Sequence, residues 1–222
     1  MGISRREGAV LIGIVVVALV WSAIGAHSLG TWALEVVWIV IGAPLVILNR
    51  TRFPLTRLVL WLLVCHAIVL CYGGHHTYAE TPLGNWFQDL FDTRRNNYDR
   101  FAHFVQGFVP AILVRELLLR LTPLRPGGWT FTLTAAVCLS IAACFEFVEW
   151  AAAVVLGAAA DDFLGTQGDV WDTQWDMFLC LCGALIAQLL LRRVHDRQLA
   201  GVMQPGPNPG QNRDRSSAGS GQ

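Results

Sequence analysis

The chain has 222 residues, of which 54% are hydrophobic and only 14% are charged, and its formal net charge at pH 7 is zero. Ordinary soluble domains contain roughly 25% charged residues, so the low charged fraction of this chain and its mean hydropathy of +0.48 exclude that class. Because all 16 basic residues are arginine and form no concentrated positive face, the composition also excludes nucleic acid as a partner.

Six apolar stretches recur along the chain, and a bilayer core takes about 20 helical residues to cross. The sequence therefore predicts an all-α, polytopic membrane bundle with six transmembrane helices. Its expected binding partner is the lipid bilayer that surrounds it. The predicted spans are residues 8–26, 32–48, 54–72, 98–121, 129–156 and 171–191. They form one membrane domain over residues 1–203. Residues 204–222 are rich in Pro, Gly and Ser, which is typical of a disordered tail.

The distribution of arginine predicts that both termini face the cytoplasm. With the N-terminus inside, every arginine except Arg94, Arg95 and Arg100 lies on the cytoplasmic side, as the positive-inside rule requires. The first span follows Arg5 and Arg6 and could be a cleaved signal peptide. Its match to a small-x-small cleavage site is poor, so we expect a retained anchor.

Three predicted spans carry carboxylates or histidine within the apolar belt, where a charged group costs about 2.5–3.5 kcal/mol. These residues are Asp99, His103 and Gln106 on the fourth span, Glu146 and Glu149 on the fifth, and Asp172 and Asp176 on the sixth. Within each span the spacing places them on one helical face. In this orientation the fourth and sixth spans begin at the outer membrane surface and the fifth span ends at it. The three polar faces therefore lie at a similar depth below that surface. We expect them to face one another in a pocket of the outer leaflet.

A histidine among several carboxylates suits a divalent cation such as Zn, Mn or Fe, or a metal-free acid-base site. Crowded carboxylates cannot all ionise in a low dielectric, so either a cation neutralises them or some stay protonated. The candidate metal ligands are Asp99, His103, Glu146, Glu149, Asp172 and Asp176, with His75 on the adjoining loop as a further candidate. The candidate catalytic residues are the deepest three, His103, Glu146 and Asp176.

Structural interpretations of the same residues stay open. Asp99 and Asp172 each begin a helix, where a carboxylate caps free amides and complements the helix dipole. Glu149 lies near the outer interface and could be solvated. A polar network that fastens helices together would account for the three deepest groups without any function.

Charges near other span ends have simpler interpretations. Glu35 lies toward the outer end of the second span and is expected to extend its carboxylate to the interface. Arg115 and Glu116 lie near the inner interface, where we expect solvated or paired charges. The segment from Gly73 to Asn97 is interpreted as a long polar connection.

The stretch from Gly73 to Arg120, GGHHTYAETPLGNWFQDLFDTRRNNYDRFAHFVQGFVPAILVRELLLR, resembles the YjdF-like family of bacterial inner-membrane proteins. The later segments FEFVEW and DVWDTQWDM fit the same pattern, and the resemblance covers about residues 61–191. It implies a multi-pass protein of the bacterial inner membrane and no particular activity. The family pattern carries over onto His75, Tyr78, Pro82, Asp99, Arg100, His103, Gln106, Arg115, Glu116, Glu146, Glu149, Asp169, Asp172 and Asp176. At His76 the family is expected to have tyrosine.

A looser resemblance links the fourth to sixth spans to VanZ-like membrane proteins, which are associated with glycopeptide resistance. Those proteins also have Asp-x-x-x-His at one helix start, a glutamate on the next helix and an Asp-rich start on the last. The shared features imply a site of similar composition and supply no substrate.

Three functional hypotheses follow from different classes of protein. The first is a cation-dependent membrane enzyme that acts on a lipid-linked or envelope substrate, and the second is a small ion-coupled transporter. The third is a structural or partner-binding membrane protein. The inner halves of the spans are almost wholly apolar in sequence, which favours a one-sided site over a conduit. Two copies of the chain could still line a route between them, and the sequence determines neither the oligomeric state nor whether the protein is an enzyme.

Overall fold

The computed structural model describes residues 3–157 and 161–203, and within these ranges every regular element is helical and no β-strand occurs. The helices are α1 (Arg5–Ala23), α2 (Leu29–Asn49), α3 (Arg57–His76), a 3₁₀ turn (Tyr78–Glu80), α4 (Pro82–Phe91), α5 (Tyr98–Leu121), α6 (Gly128–Leu156), α7 (Asp161–Leu164) and α8 (Asp172–Met203). The predicted all-α fold class is confirmed. The predicted disordered tail, residues 204–222, lies outside the described residues.

Five helices, α1, α2, α3, α6 and α8, are long and apolar enough to cross a membrane. They support a multi-pass membrane protein. α5 has 24 residues, which at about 1.5 Å per residue exceeds the roughly 30 Å of a bilayer core. It carries charged residues near both ends, however, and is not among the five apolar helices. The sixth span and the orientation of the termini therefore stay predictions.

The connection between α3 and α5 contains a helix that the interpretation as a polar connection missed. Thr81 Oγ1 accepts a hydrogen bond from the amide of Gly84 at 3.3 Å, and Pro82 occupies the first turn. An N-cap threonine followed by proline is typical of a helix N-terminus. Its exposed apolar side chains recur every three or four residues: Leu83, Trp86, Phe87, Leu90 and Phe91. This amphipathic surface is typical of a helix that lies along a membrane interface.

α5 lies at the centre of the fold. It packs most extensively against α8 and also contacts α3 and α6, while α1 and α2 pack against α3. α2 also meets α6, where the ring centroids of Trp38 and Phe145 lie 6.4 Å apart. The backbones of α5 and α8 approach closely at two glycines. A Cβ atom on Gly107 would overlap the carbonyl of Cys180, and one on Gly183 would overlap the carbonyl of Phe104. Small residues permit this approach between membrane helices.

The helices alternate in direction, so the bundle has two distinct ends. Thr56, at the start of α3, hydrogen bonds with Glu116 near the end of α5. His75, at the end of α3, lies 3.0 Å from the carbonyl oxygen of Ser22 near the end of α1. We call the end at which α5 and α8 begin the acidic end, and the end at which they finish the basic end.

We predict that Gly107→Ala destabilises the protein, because the added methyl group would force α5 away from the Cys180 carbonyl. Overpacking of this kind costs about 1–3 kcal/mol. The measurement is the free energy of unfolding by SDS titration in mixed micelles. Gly42→Ala in α2 is the control, since no atom lies within 4 Å of its added Cβ. Equal stability of the two variants would contradict the close α5–α8 contact.

Candidate functional site

The α5–α8 contact brings two predicted site residues to the same level. His103 lies one helical turn before Gly107, and Asp176 lies one turn before Cys180. Because α5 and α8 run in the same direction, both side chains project toward the acidic end of the contact. Asp99, one turn further along α5, completes a group in which one ligand atom from each residue lies within 4.8 Å of the others. All three residues are buried.

α6 adds two carboxylates to this group. Ligand atoms of His103, Glu146 and Glu149 also lie within 4.8 Å of one another, so His103 belongs to both sets. Glu146 is buried, and Glu149 is half-buried. The structure thus brings together residues from three helices that the sequence predicted to meet. We call Asp99, His103, Glu146, Glu149 and Asp176 the carboxylate–histidine cluster.

Several atoms of this cluster lack partners. His103 Nδ1, Glu146 Oε1 and Asp176 Oδ1 are buried and have no hydrogen-bond partner among the described residues. Buried polar atoms are bonded in the great majority of cases, and leaving one unsatisfied costs about 1–3 kcal/mol. The cluster therefore contains three buried polar atoms, from three helices, whose hydrogen-bonding capacity no described residue satisfies.

Arg95 ties the carboxylates at the edge of the cluster to the adjoining loops. Its guanidinium donates to the Asp172 carboxylate and to the carbonyl oxygen of Gly165, the latter at 3.2 Å. It also lies 3.8 Å from Asp99 Oδ2 and 3.7 Å from Asp169 Oδ2. Asp172, which the sequence proposed as a metal ligand, therefore has a buried arginine as its partner.

Arg100 forms a second bridge beside the first. It donates to the Asp169 carboxylate, and its guanidinium lies 5.2 Å from the centre of the Trp175 ring. Asp169 also accepts a hydrogen bond from the Trp171 amide at 2.9 Å, immediately before α8 begins at Asp172. Neither arginine was predicted from the sequence to form an ion pair. Their position on the arginine-poor side, next to two acidic helix starts, was the signal for these ion pairs.

The structure does not bring His75 into the cluster. Its Nδ1 atom faces the Ser22 carbonyl, and its ring stacks on Trp21 with a centroid distance of 4.8 Å. His76 packs edge-on against Tyr72 at 4.9 Å. These histidines belong to an aromatic contact between α1 and α3.

Glu35 was expected at the interface, and that prediction was wrong, because its side chain is only 4% exposed. A Cβ atom on Gly74 would lie 3.2 Å from the Glu35 Cβ, so the missing side chain of Gly74 leaves room for it. Glu35 interacts electrostatically with Asp99 and with Tyr78. Burial, and next the nearby Glu35 carboxylate, raise the pKa of the Tyr78 phenol well above its usual range.

Asn96 holds the loops over the acidic end in place. Its side-chain amide donates to the Thr81 carbonyl at 2.9 Å and to Asn85 Oδ1 at 2.7 Å, and its oxygen accepts from the Tyr98 amide at 3.0 Å. Gln167 exchanges two hydrogen bonds of 2.9 Å with the Asn96 backbone. The start of α4, the start of α5 and the loop before α8 are therefore joined at one residue.

At the basic end, the charges expected near the interface are paired and buried. Glu116 is fully buried, accepts a hydrogen bond from Thr56 Oγ1 at 2.7 Å and lies 3.1 Å from His195 Nε2. Arg120 donates to Glu116 at 2.7 Å, and Arg115 lies 2.8 Å from His195 Nδ1. The half of the α5–α8 pair at the basic end is therefore less apolar than the sequence suggested, because α8 continues as a helix to Met203.

We predict that Arg95→Gln destabilises the protein by about 3–5 kcal/mol, because the buried Asp172 carboxylate would lose its partner. The double variant Arg95→Gln/Asp172→Asn should recover most of that loss, since it removes both charges. Unfolding in SDS mixed micelles measures both effects. Arg94→Gln, at an exposed neighbour, is the matched control and should leave stability unchanged. Asp172→Asn is also measured alone. If the stability loss of the double variant equals the sum of the losses of the two single variants, Arg95 and Asp172 do not interact.

Comparison with known proteins agrees with this architecture. The family described as "Predicted membrane protein (DUF2238)" matches residues 8–197 of the chain. The chain is 45% identical over 181 residues to "Inner membrane protein YjdF" of Escherichia coli (strain K12), and the alignment covers 82% of this chain and 87% of that relative. No solved structure matches the chain. With its apolar helices, the protein is a multi-pass protein of the bacterial inner membrane.

Proposed function

The chain belongs to the DUF2238 family of membrane proteins, and from this premise we propose that it is a cation-dependent membrane enzyme acting on a lipid-linked or envelope substrate. The observation that carries the proposal is the set of three buried, unsatisfied ligand atoms at the carboxylate–histidine cluster. Each comes from a different helix: His103 on α5, Glu146 on α6 and Asp176 on α8.

The proposal includes a topology with six membrane spans and both termini in the cytoplasm. α5 supplies the sixth span, and its charged residues are tolerated because they are buried against neighbouring helices. The alternating helix directions and the arginines at the basic end support this orientation. The acidic end, with its cluster, then lies beneath the outer surface of the membrane.

The donor atoms of the cluster fit a divalent cation. Asp99 and Asp176 offer carboxylate oxygens and His103 offers an imidazole nitrogen, a set that suits Zn, Mn or Fe. Their ligand atoms lie within 4.8 Å of one another, so small side-chain rotations would bring them to bond lengths of about 2.0–2.2 Å from a common ion. Arg95, 3.8 Å from Asp99, restrains this carboxylate from behind.

A bound divalent cation would make a bound water more acidic and polarise a phosphoryl or carbonyl oxygen of the substrate. Glu146 has a free oxygen close to His103, so we assign it the role of general base toward that water. Glu149 lies on the same face of α6 and assists as a further ligand or proton acceptor. The exposed apolar face of α4, tied to the start of α5 through Asn96, favours a substrate that approaches from the lipid interface.

An ion-coupled carrier is the second candidate. Its supporting observation is that the α5–α8 pair carries buried ionisable groups at both ends, the cluster at one and the Glu116–His195 pair at the other. Between them lies an apolar layer that includes Ile112 and Ala184. Because a carrier needs a polar path across this layer, we favour the enzyme.

Metal analysis of the purified protein tests the cation site. We predict near-stoichiometric Zn, Mn or Fe in the parent protein, and loss of most of it in His103→Ala and in Asp176→Asn, because each removes a ligand. The matched controls are His66→Ala, at a half-buried histidine of α3 outside the cluster, and Asp89→Asn on α4, and both should retain the cation. Full metal retention by the cluster variants, or a metal-free parent with unchanged folding, would contradict the cation site.

Catalysis is tested separately with Glu146→Gln. We predict that this variant keeps its cation but fails to convert substrate, because the amide cannot accept a proton. Membranes containing the parent protein or the variant are incubated with the cation found in the parent, and their lipid and envelope-precursor extracts are compared by mass spectrometry. A species altered by the parent and not by Glu146→Gln supports the enzyme. Identical extracts would leave the cation with a structural or transport role.

A further inference from the structure

The basic end contains a cavity of about 460 Å³ between the start of α6 and the second half of α8. Three arginines, Arg115, Arg192 and Arg193, line it together with the backbone of Gly127 and Gly128. It lies at the end of the bundle opposite the carboxylate–histidine cluster and shares no residue with that cluster.

The lining carries more positive than negative charge. Asp196 is its one carboxylate, and the buried Arg115 guanidinium lies 2.7 Å from it, so these two charges compensate each other. Arg192 and Arg193 are exposed, and neither forms an ion pair or a side-chain hydrogen bond with another described residue. Two guanidinium groups therefore remain available to an anion.

The start of α6 adds hydrogen-bond donors to the same cavity. Gly127 precedes this 29-residue helix and offers no side chain to cap its first amides, which carry the positive end of the helix dipole. A Cβ atom placed on Gly128 would meet nothing within 4 Å, so the backbone is open to an approaching ligand at this point. Amides at a helix start combined with arginine are a frequent arrangement for binding phosphate.

Gln188 is an independent sign of a ligand. It lines the cavity and is 1% exposed. Its amide nitrogen donates to the carbonyl oxygens of Phe131 and Ala184 at 3.2 and 3.3 Å, whereas its Oε1 atom has no partner in the described part of the chain. A ligand that pairs with all of these groups therefore needs anionic oxygens for Arg192 and Arg193. It also needs a hydrogen-bond donor for Gln188 Oε1.

We propose that this cavity binds the phosphate group of a membrane lipid, with a hydroxyl or ammonium group of the same headgroup donating to Gln188. Trp129, at the start of α6, is 76% exposed, and exposed tryptophan is typical of the level at which lipid headgroups lie. Basic cavities between membrane helices bind lipid phosphates by this combination of charge and depth. Phosphatidylglycerol and phosphatidylethanolamine carry both required groups.

The test uses the purified full-length protein in a neutral detergent and short-chain lipids as probes. Binding of dioctanoyl phosphatidylglycerol, dioctanoyl phosphatidylethanolamine, dioctanoylglycerol and inorganic phosphate is measured by native mass spectrometry. We expect the parent to bind the two phospholipids and not dioctanoylglycerol, which lacks phosphate. Arg192→Gln/Arg193→Gln should bind them at least about tenfold more weakly, because the variant loses both charge-assisted hydrogen bonds to the phosphate.

Two further variants make the result specific. Arg50→Gln/Arg52→Gln removes two exposed arginines from the same end without touching the cavity, and should bind as the parent does. Gly128→Leu keeps every charge and fills the opening, and should weaken binding even if the double arginine variant fails to fold. Equal phospholipid binding by the parent and all variants, or equal binding of dioctanoylglycerol, would overturn the proposal. Binding of inorganic phosphate at the same concentration as the lipids would overturn a lipid as the source of the phosphate.

Discussion

At Gly107 and Gly183 the backbones of α5 and α8 lie so close that neither position has room for a side chain. Lipid supplies no hydrophobic force between membrane helices, so close van der Waals packing of this kind holds them together. The contact aligns the first turns of the two helices. His103 and Asp176, on different helices and far apart in sequence, therefore face one another, and Glu146 joins them because α6 packs on both helices.

The two ends of the α5–α8 pair differ in how completely their buried charged groups are hydrogen-bonded. At the basic end, Glu116 is surrounded by Thr56, Arg120 and His195, so the carboxylate has donors on every side. At the acidic end Arg95 and Arg100 pair with Asp169, Asp172 and Asp99. In the carboxylate–histidine cluster, atoms of His103, Glu146 and Asp176 have no hydrogen-bond partner among the described residues. A fully paired network stabilises a fold, whereas an incompletely paired one is a place where a ligand gains the most. The cation site is therefore proposed at the acidic end.

The proposed lipid site and the proposed cation site lie at opposite ends of the α5–α8 pair. Arg115 connects the basic cavity to His195, and through it to Glu116 on α5. A lipid bound beside Arg115 would therefore contact the same helix that carries His103. If both proposals hold, lipid binding at the basic end and cation binding at the acidic end would act on the same helix pair.

Much of the site was predictable from residue type and spacing. Polar residues inside apolar stretches are costly in lipid, and intervals of three or four residues put them on one helical face, so the meeting of α5, α6 and α8 followed from the sequence. The burial of Glu35 did not follow, because it depends on the space left by Gly74 on another helix. α4 was missed because a ten-residue amphipathic helix has too few apolar residues to resemble a span.

The sequence by itself determined that the chain is helical, lies in a membrane and carries a set of acidic residues and a histidine at one depth, because insertion in lipid depends on local composition. Only the tertiary structure decided which partner each charge has. Arg95 neutralises Asp172 and leaves Asp176 unsatisfied, and His75 turns away to Ser22. Such pairings depend on distances between helices that are remote in sequence, and backbone contacts at single glycines set those distances.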